Sequence, residues 1–295
     1  MNNAKTFQQK IVPYVFVSPF IITFLLFFLY PLISSVIMSF QEIYPGEVSF
    51  VGFSNYNELV TERFYTALSN SFWYTFWTIA ILVPLPIILA VALHKATVGN
   101  TVYRALLFVP SLVSVVVAGT LIRLLFASND QALVNSLFRL LGGESKNWLL
   151  AGQPYAMILL VVLATWKWTG VNIVYFLAGI NSIPHELYEA ATIDGADWNT
   201  QFWKITLPLI KPTIIFVITI SIFGGFSMFE ESYILWAGNE SPNNVGLTMV
   251  GYLYQRGFQQ ANLGVGSAIG VVLITIVFII SIVQLNLFGF FKEEQ

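Results

Sequence analysis

Several residue types are missing or rare in this sequence, and each absence excludes a kind of chemistry. There is no cysteine among the 295 residues, which excludes disulfides, thiolate metal sites and cysteine nucleophiles. The two histidines, His94 and His185, are too few and too isolated for a histidine-based centre, so we expect no bound metal. Charged residues make up only 9% of the chain, against roughly 25% in an average soluble domain. The net charge of −2 argues against nucleic acid as a partner.

Apolar residues dominate instead. The hydrophobic fraction is 57% and the mean hydropathy is +0.75, values typical of a polytopic helical membrane protein surrounded by lipid. A helix needs roughly 20 residues to cross the hydrocarbon core. Six segments are long enough, at about 13–40, 70–94, 105–126, 154–180, 208–230 and 265–288. We therefore predict an all-α integral membrane fold with six transmembrane helices, in which residues 1–295 form a single transmembrane domain.

The first apolar segment follows Lys5 and Lys10, as the apolar region of a signal peptide would. It is too long for such a region and has no convincing small-residue cleavage site, so we interpret it as a retained first span.

The distribution of basic residues near the span ends predicts the orientation, because cytoplasmic loops carry an excess of Lys and Arg. With the N-terminus in the cytoplasm, seven basic residues fall inside, namely Lys5, Lys10, Lys95, Arg104, Lys204, Lys211 and Lys292. Four fall outside, namely Arg63, Arg139, Lys146 and Arg256. This excess predicts that both termini are cytoplasmic.

One long polar interval, residues 184–212, lies between the fourth and fifth spans. Its charged side chains would cost several kcal/mol each in lipid, so it must project into water, on the cytoplasmic side in this orientation. Pro184 suits the start of a helix and Gly195 suits a left-handed stop. Asp197 can cap a second helix, which we expect Pro208 to break. Two such helices would form a docking element for a soluble partner, whereas an amphipathic loop lying on the membrane would have the same hydrophobicity.

Two connections on the predicted outer side indicate short helices, and in the second of them Leu133, Leu137 and Leu140 recur at helical spacing. Residues 41–67 predict a short interfacial helix, and so do residues 127–153. For the second, we expect a cap near Asn129 or Asp130 and an end at Gly142-Gly143.

A short motif within residues 184–212 carries a family resemblance. It reads Glu189-Ala190-Ala191, then Gly195, then Ile205-x-Leu207-Pro208. This pattern resembles the EAA-x3-G-x9-I-x-LP signature of the permeases of binding-protein-dependent ABC importers. The longer stretch, which includes Asp194, is similar to the maltose-type sugar permeases. Segments that also resemble this branch lie at residues 50–56, 108–110 and 177–184.

The resemblance implies a division of labour between subunits. The polar interval would be a pair of coupling helices seated in a cleft of an ATP-binding subunit, with Glu189 paired to a basic residue there and Gly195 allowing the sharp turn. A second homologous permease, two cytoplasmic ATPases and an extracytoplasmic solute-binding protein would complete the importer. Because the chain has no G-x-x-x-x-G-K-[ST] stretch, ATP and Mg²⁺ would be used by the ATPases, and this chain would be neither an enzyme nor a cofactor binder.

The transport path should lie along spans that carry polar, small or aromatic residues. A lysine in mid-membrane normally faces a cavity or a partner, and aromatic rings stack on sugar rings. The candidates are Trp166, Lys167, Trp168 and Asn172 in the fourth span, and Gly225, Glu230 and Glu231 at the fifth. Helix packing explains the glycine and the tryptophans equally well, and the two glutamates could face the outer interface instead.

The nature of the sugar depends on two basic residues. If Lys167 and Arg123 both face the cavity, an anionic sugar such as a sialic acid fits; otherwise a neutral mono- or oligosaccharide does. Segments 229–233 and 241–244 are also faintly similar to arabinose-type permeases.

Two other classes of membrane protein remain as alternatives. An ion-coupled secondary sugar carrier would need coupling-ion sites and usually internal repeats. The chain has no repeated half, and its acids cluster in the polar interval and the outer loops. A membrane enzyme would need a histidine-rich or paired-acid site within the spans, and none is present.

Overall fold

The computed structural model describes residues 2–44, 46–94, 99–238 and 241–289. Lys95 and Lys292, which entered the orientation count, lie outside these ranges. The longer helices of the described residues are α1 (Asn2–Phe24), α2 (Tyr30–Met38), α4 (Glu62–Leu82), α5 (Pro84–His94), α6 (Asn100–Leu112), α7 (Val115–Leu125), α8 (Leu133–Leu140), α9 (Tyr155–Asn181), α10 (His185–Ile193), α13 (Lys211–Phe226) and α16 (Leu263–Leu287).

Short helices and single turns fill the connections. They are α3 (Ser54–Asn57), α11 (Trp198–Gln201), α12 (Leu207–Leu209), α14 (Glu230–Leu235) and α15 (Met249–Tyr254), with π-helical turns at Leu25–Leu29, Phe202–Thr206 and Gln255–Gln259 and a 3₁₀ turn at Pro242–Asn244. Two strands, β1 (Gln41–Tyr44) and β2 (Glu47–Phe50), complete the elements.

The chain forms two compact units. One comprises Met1–Val60 and Leu253–Ile274, and the other comprises Thr61–Tyr252 and Thr275–Gln295. The second unit contains the polar interval and the predicted path residues.

The strands of the first unit correct the all-α prediction. β1 and β2 form an antiparallel hairpin in which Gln41 pairs with Phe50 and Tyr44 pairs with Glu47. Gly46 in the turn has φ 88°, a conformation that favours glycine. The interfacial helix predicted over residues 41–67 is therefore wrong for its first half, because a turn residue between two runs of alternating residues favours a hairpin over a helix.

Four helices of the described residues are long and apolar enough to cross a membrane, at Ile11–Met38, Glu62–His94, Tyr155–Asn181 and Leu263–Leu287. The number rises to six if each of two bent pairs is one span. One pair is α6 with α7, bent by 97°, and the other is Trp198–Leu209 with α13, bent by 63°. The segments predicted at 105–126 and 208–230 thus contain bends that the hydropathy pattern did not reveal.

Helix α9 lies at the centre of the second unit and packs against α4, α5, α6 and α13. Two of its glycines allow this packing. A Cβ atom at Gly170 would overlap the backbone of Leu107 in α6, and one at Gly179 would overlap the side chain of Thr213 in α13. Small residues at such positions let helix backbones approach closely.

A side chain of α9 compensates for the break between α4 and α5. Pro86 has no N–H, so it cannot supply the hydrogen bond that the carbonyl of Leu82 would receive in a continuous helix. The Asn172 side-chain amide donates to this carbonyl at 2.8 Å, and Asn172 is buried.

A second side chain of α9 does the same at the bend between α6 and α7. Val113 lies between these helices in an extended conformation. Its carbonyl accepts a hydrogen bond from the Lys167 ammonium group at 2.6 Å. Lys167 is only 4% exposed, and its Nζ also lies 5.3 Å from the centroid of the Trp168 ring. The charge is therefore held inside the protein by a backbone acceptor and an aromatic ring.

The second bend corrects the prediction at Pro208. The chain continues helically through Pro208 to Leu209 and breaks at Ile210. Pro208 is accommodated in the first turn of α12, directly after a π-helical turn. Pro212 occupies the first turn of α13. Backbone N–H groups in the first turn of a helix have no acceptor within the helix, so proline costs no hydrogen bond there, and the break falls before it.

The outer helix predicted within residues 127–153 is present as α8, but it starts later than expected. Ala132 occupies the cap position, whereas Asn129 belongs to a turn held by the fully buried Asn135. The Asn135 amide donates to the carbonyls of Ala127, Asn129 and Lys146, and its oxygen accepts from the Lys146 N–H and the Trp148 indole. The end agrees with the prediction, since Gly142 adopts φ 86°.

Replacing Lys167 by Met should lower the thermal stability of the purified protein. The side chain keeps most of its volume, but the Val113 carbonyl loses a charge-assisted donor, which typically costs about 1.5–3 kcal/mol. The measurement is the unfolding midpoint in one detergent. Lys204→Met, at an exposed position, is the matched control. Equal midpoints for the two variants would contradict a bracing role for Lys167.

Candidate functional site

A cavity of about 530 Å³ lies within the second unit. Its walls come from α4, α9 and α13, together with the segment 227–231 that follows α13. Of the seven path residues that the sequence suggested, five line this cavity, namely Trp168, Asn172, Gly225, Glu230 and Glu231. Most of the predicted candidates are therefore brought to one place.

Trp166 and Lys167 do not line the cavity. Residues two positions apart on a helix point about 200° apart, so Trp166 and Trp168 face opposite directions. Trp166 is exposed on a face of α9 that does not line the cavity, and Lys167 is bonded to Val113 at the α6–α7 bend. The adjacent residues of this segment therefore have three different environments.

The cavity wall of α9 follows helical spacing from Trp168. Asn172 and Tyr175 lie four and seven positions further on and also line the cavity. Tyr175 and, from α4, Tyr74 also line the cavity, although the sequence did not predict either of them as a path residue. Extending the helical period from Trp168 would have found Tyr175, but Tyr74 lies on another span and carries no comparable signal.

The lining combines aromatic rings with groups that form hydrogen bonds. The rings belong to Tyr74, Trp168, Tyr175 and Phe229. Hydroxyl and amide groups come from Thr78, Asn172, Ser221 and Ser227, and carboxylates from Glu230 and Glu231. One N–H of the Asn172 amide is bonded to the Leu82 carbonyl, so the side-chain oxygen and the second N–H are the groups that can serve a ligand. Such a lining can stack on a ring with an apolar face and hydrogen-bond its hydroxyl groups.

Gly225 and Gly224 are adjacent in the cavity wall but differ in surroundings. A Cβ atom at Gly225 would overlap the side chain of Thr75 in α4, whereas one at Gly224 would meet no atom within 4 Å. Gly225 therefore permits close packing of α13 on α4, while Gly224 borders open space.

The polar interval between α9 and α13 folds as two helices joined at Gly195. Gly195 has φ 79°, and its N–H donates to the Thr192 carbonyl at 3.1 Å. The Ala196 N–H donates to the Ala191 carbonyl at 2.8 Å. These two bonds form a Schellman motif, which ends α10 at the position that the sequence predicted.

The second helix of the interval begins at the predicted cap. The Asp197 carboxylate accepts a hydrogen bond from the Thr200 N–H at 2.9 Å. Hydrogen bonds from the Thr200 side chain and backbone hold the pKa of Asp197 below its usual range. The two helices are tied together by the Tyr188 and Thr206 hydroxyls, which lie 2.9 Å apart, and by Gln201, which donates to the Thr192 hydroxyl at 3.0 Å.

The motif residues of this interval are accessible from outside the chain. Glu189, Ala190, Asp194, Gly195 and Pro208 are exposed, while Ala191, Ile205 and Leu207 are half-buried. The carboxylate of Glu189 lies 3.0 Å from Nδ1 of His185, one helical turn earlier. Large apolar side chains are exposed nearby, with Ile193 at 86% and Trp203 at 59%. The interval thus presents an acidic residue, small residues and apolar groups on one rigid element.

These features define a multi-pass helical membrane protein of the permease class, with a cavity among its helices and an exposed helical pair between α9 and α13. A family described as the binding-protein-dependent transport system inner membrane component matches residues 82–288, and the chain belongs to this family.

Relatives with a high identity cover almost the whole chain. The arabinooligosaccharides transport system permease protein AraP of Bacillus subtilis (strain 168) is 50% identical over 289 residues, which is 98% of this chain and 92% of that protein. AraP of Halalkalibacterium halodurans is 49% identical over 97% of this chain and 90% of its own length.

A solved structure has the same fold. It is the crystal structure of a bacterial alginate ABC transporter in complex with an alginate pentasaccharide-bound periplasmic protein. The matched chain gives a TM-score of 0.83 at 24% identity and covers 96% of this chain and 95% of its own length.

The resemblance drawn from the EAA-type motif is thereby confirmed. The chain is the permease subunit of an ABC sugar importer and a multi-pass protein of the cell membrane. The family is a transport component and not a catalytic one, and nothing in these comparisons supports an ion-coupled secondary carrier.

Replacing Gly225 by Ala should destabilise the protein, while the same change at Gly224 should not. The new methyl group at position 225 would overlap Thr75, and overpacking of this kind typically costs about 1–3 kcal/mol. At position 224 the methyl group meets no neighbour, and alanine favours the helix. Unfolding midpoints measured in parallel test the difference. If both variants unfold at the wild-type temperature, α13 and α4 do not pack as described.

Proposed function

We propose that this sugar importer permease transports arabinose-containing oligosaccharides delivered by a solute-binding protein. The observation that carries the proposal is the 50% identity over 98% of the chain to a permease named for arabinooligosaccharides. The cavity supports it, since aromatic rings and hydrogen-bonding groups suit a neutral saccharide. The two basic residues on which an anionic sugar would depend do not line the cavity, because Lys167 is bonded to Val113 and Arg123 is exposed.

Within this function we assign the path residues different roles. Trp168 stacks on the saccharide, and Asn172 contacts its hydroxyls through the side-chain oxygen. Glu230 and Glu231 set the charge of the cavity lining. Two other residues have structural roles, because Lys167 and Gly225 hold the neighbouring helices in place. Trp166 lies on a face of α9 outside the cavity.

The proposed topology has six spans and both termini in the cytoplasm, in one transmembrane domain over residues 1–295. Each bent pair then counts as one span, with the bend as a broken helix inside the membrane. The polar interval 184–212 lies in the cytoplasm, between spans four and five.

In this orientation the polar interval couples the chain to the ATP-binding subunits that drive transport. Glu189, Ala190, Ala191, Asp194 and Gly195 face a cleft of an ATP-binding subunit, and the segment 205–208 supports the second helix. Two ATPases bind ATP and Mg²⁺, and a second homologous permease completes the path. Closure of the ATPases draws the two coupling elements together, and because each element binds the two ATPase states differently, nucleotide shifts the permease between inward- and outward-facing states.

The absence of cysteine makes the topology directly testable. Single cysteines replace Leu141 and Ile193, which are 87% and 86% exposed. A membrane-impermeant maleimide added to intact cells should label the cysteine at position 141 at once. It should label the cysteine at position 193 only after permeabilisation, because that residue lies in the cytoplasmic interval. Labelling of position 193 in intact cells would refute the orientation.

Substitutions in the polar interval should abolish transport without preventing membrane insertion. The importer is reconstituted with its ATPases and binding protein, and ATP-driven uptake of a labelled arabino-oligosaccharide is measured with co-purification of the ATPase. Glu189→Lys reverses the charge that pairs with the ATPase, and Gly195→Pro cannot adopt φ 79°. Both should reduce uptake at least about tenfold, Glu189→Lys because the loss of one partner of a buried charge pair costs about 2 kcal/mol or more, and Gly195→Pro because it disrupts the turn between the two helices.

Two matched controls isolate the coupling role. Glu186→Lys makes the same charge change on the same helix, and Gly142→Pro makes the same backbone change at another left-handed helix end. Both controls should retain ATPase binding. The coupling role fails if Glu189→Lys transports as well as Glu186→Lys, and the substrate assignment fails if the wild-type importer takes up no arabino-oligosaccharide.

A further inference from the structure

The two glutamates of the cavity lining have no cationic partner among the residues that line it. Glu230 and Glu231 open α14 directly after Phe229, and both line the cavity. None of the described residues lining the cavity is Lys, Arg or His. Carboxylates at the start of a helix interact favourably with the positive end of the helix dipole. This interaction does not require the carboxylates to face a cavity.

One basic residue interacts with this charge from outside the lining. Lys167 is close enough to Glu231 for an electrostatic interaction, but its Nζ is bonded to the Val113 carbonyl at 2.6 Å and Lys167 does not line the cavity. Glu230 is exposed. A ligand in the cavity can therefore contact the carboxylates of Glu230 and Glu231 directly. It makes no direct contact with the ammonium group of Lys167, which does not line the cavity.

We propose that Glu230 and Glu231 make this cavity selective for neutral saccharides by excluding those that carry carboxylate or phosphate groups. A neutral sugar donates hydroxyl hydrogen bonds to the two carboxylates. An acidic sugar of the same size places a negative charge beside them in a partly dehydrated space, where the repulsion is stronger than in water. Selectivity then comes from an unfavourable interaction with the wrong ligand as well as contacts with the right one.

The inference rests on the proposed transport of neutral oligosaccharides, and it concerns the permease rather than its binding protein. The test therefore uses the assembled permease–ATPase complex in nanodiscs without binding protein. Two probes of equal length are titrated, a neutral arabinotriose and an acidic trigalacturonate. The readout is the ratio of their affinities from tryptophan fluorescence.

The wild-type complex should bind the neutral trimer at least about tenfold more tightly, which is the scale of a single unfavourable charge contact in a partly exposed site. The variant with both Glu230→Gln and Glu231→Gln should lose most of this preference. The single variant Glu230→Gln should lose part of the preference for the neutral trimer. Because Glu230 is exposed, this variant can still be tested if the double variant does not fold. Raising the salt concentration should reduce the preference of the wild type but not that of the double variant.

The control variant combines Glu47→Gln and Glu62→Gln, which change the net charge equally at exposed positions outside the cavity. It should keep the wild-type ratio. An unchanged ratio in the double variant, or equal affinities in the wild type, would overturn the charge selectivity alone. If the wild-type complex binds the acidic trimer but not the neutral one, the proposed function falls together with this inference.

Discussion

The second unit depends on the satisfaction of backbone carbonyls where its helices break. In the hydrocarbon core there is no water to accept or donate hydrogen bonds, so a broken helix is tolerated only where other protein groups take over. Lys167 and Asn172 perform this task at two breaks, the first at Val113 and the second at Leu82. Both side chains belong to α9, the helix that packs against most others in this unit. One straight helix thus stabilises two irregular ones.

This arrangement also explains why the cavity lies where it does. Glycines let α13 approach α9 at Gly179 and α4 at Gly225, and space is left elsewhere. Gly225 removes the volume that would separate α13 from Thr75, whereas the adjacent Gly224 borders open space. The face of α9 that carries Trp168, Asn172 and Tyr175 is then available to a ligand. Lys167 has only the bracing role and Trp168 faces only the cavity, whereas Asn172 braces the Leu82 carbonyl and also lines the cavity.

The sequence was informative wherever function and local structure depend on nearby residues. Gly195 and Asp197 specify the end of one helix and the cap of the next, and the structure has both. The bend at Val113 is different, because it depends on a lysine far along the chain. The hairpin at residues 41–50 was missed because its short strands carry acidic residues that also fit a helix. Trp166 and Trp168 were grouped because they are close in sequence, but two positions along a helix place them on different faces, and only Trp168 lines the cavity.

The position of the polar interval in the chain links the cavity to the proposed ATP-binding subunits. It is covalently continuous with α9 on one side and α13 on the other, and both helices form walls of the cavity. Near the interval these walls are in close contact, since Gly179 packs against Thr213 and the Tyr175 ring lies 5.3 Å from that of Phe216. The Schellman motif and the Tyr188–Thr206 contact make the interval rigid. A displacement of this element therefore moves two cavity walls together rather than being absorbed by a flexible loop.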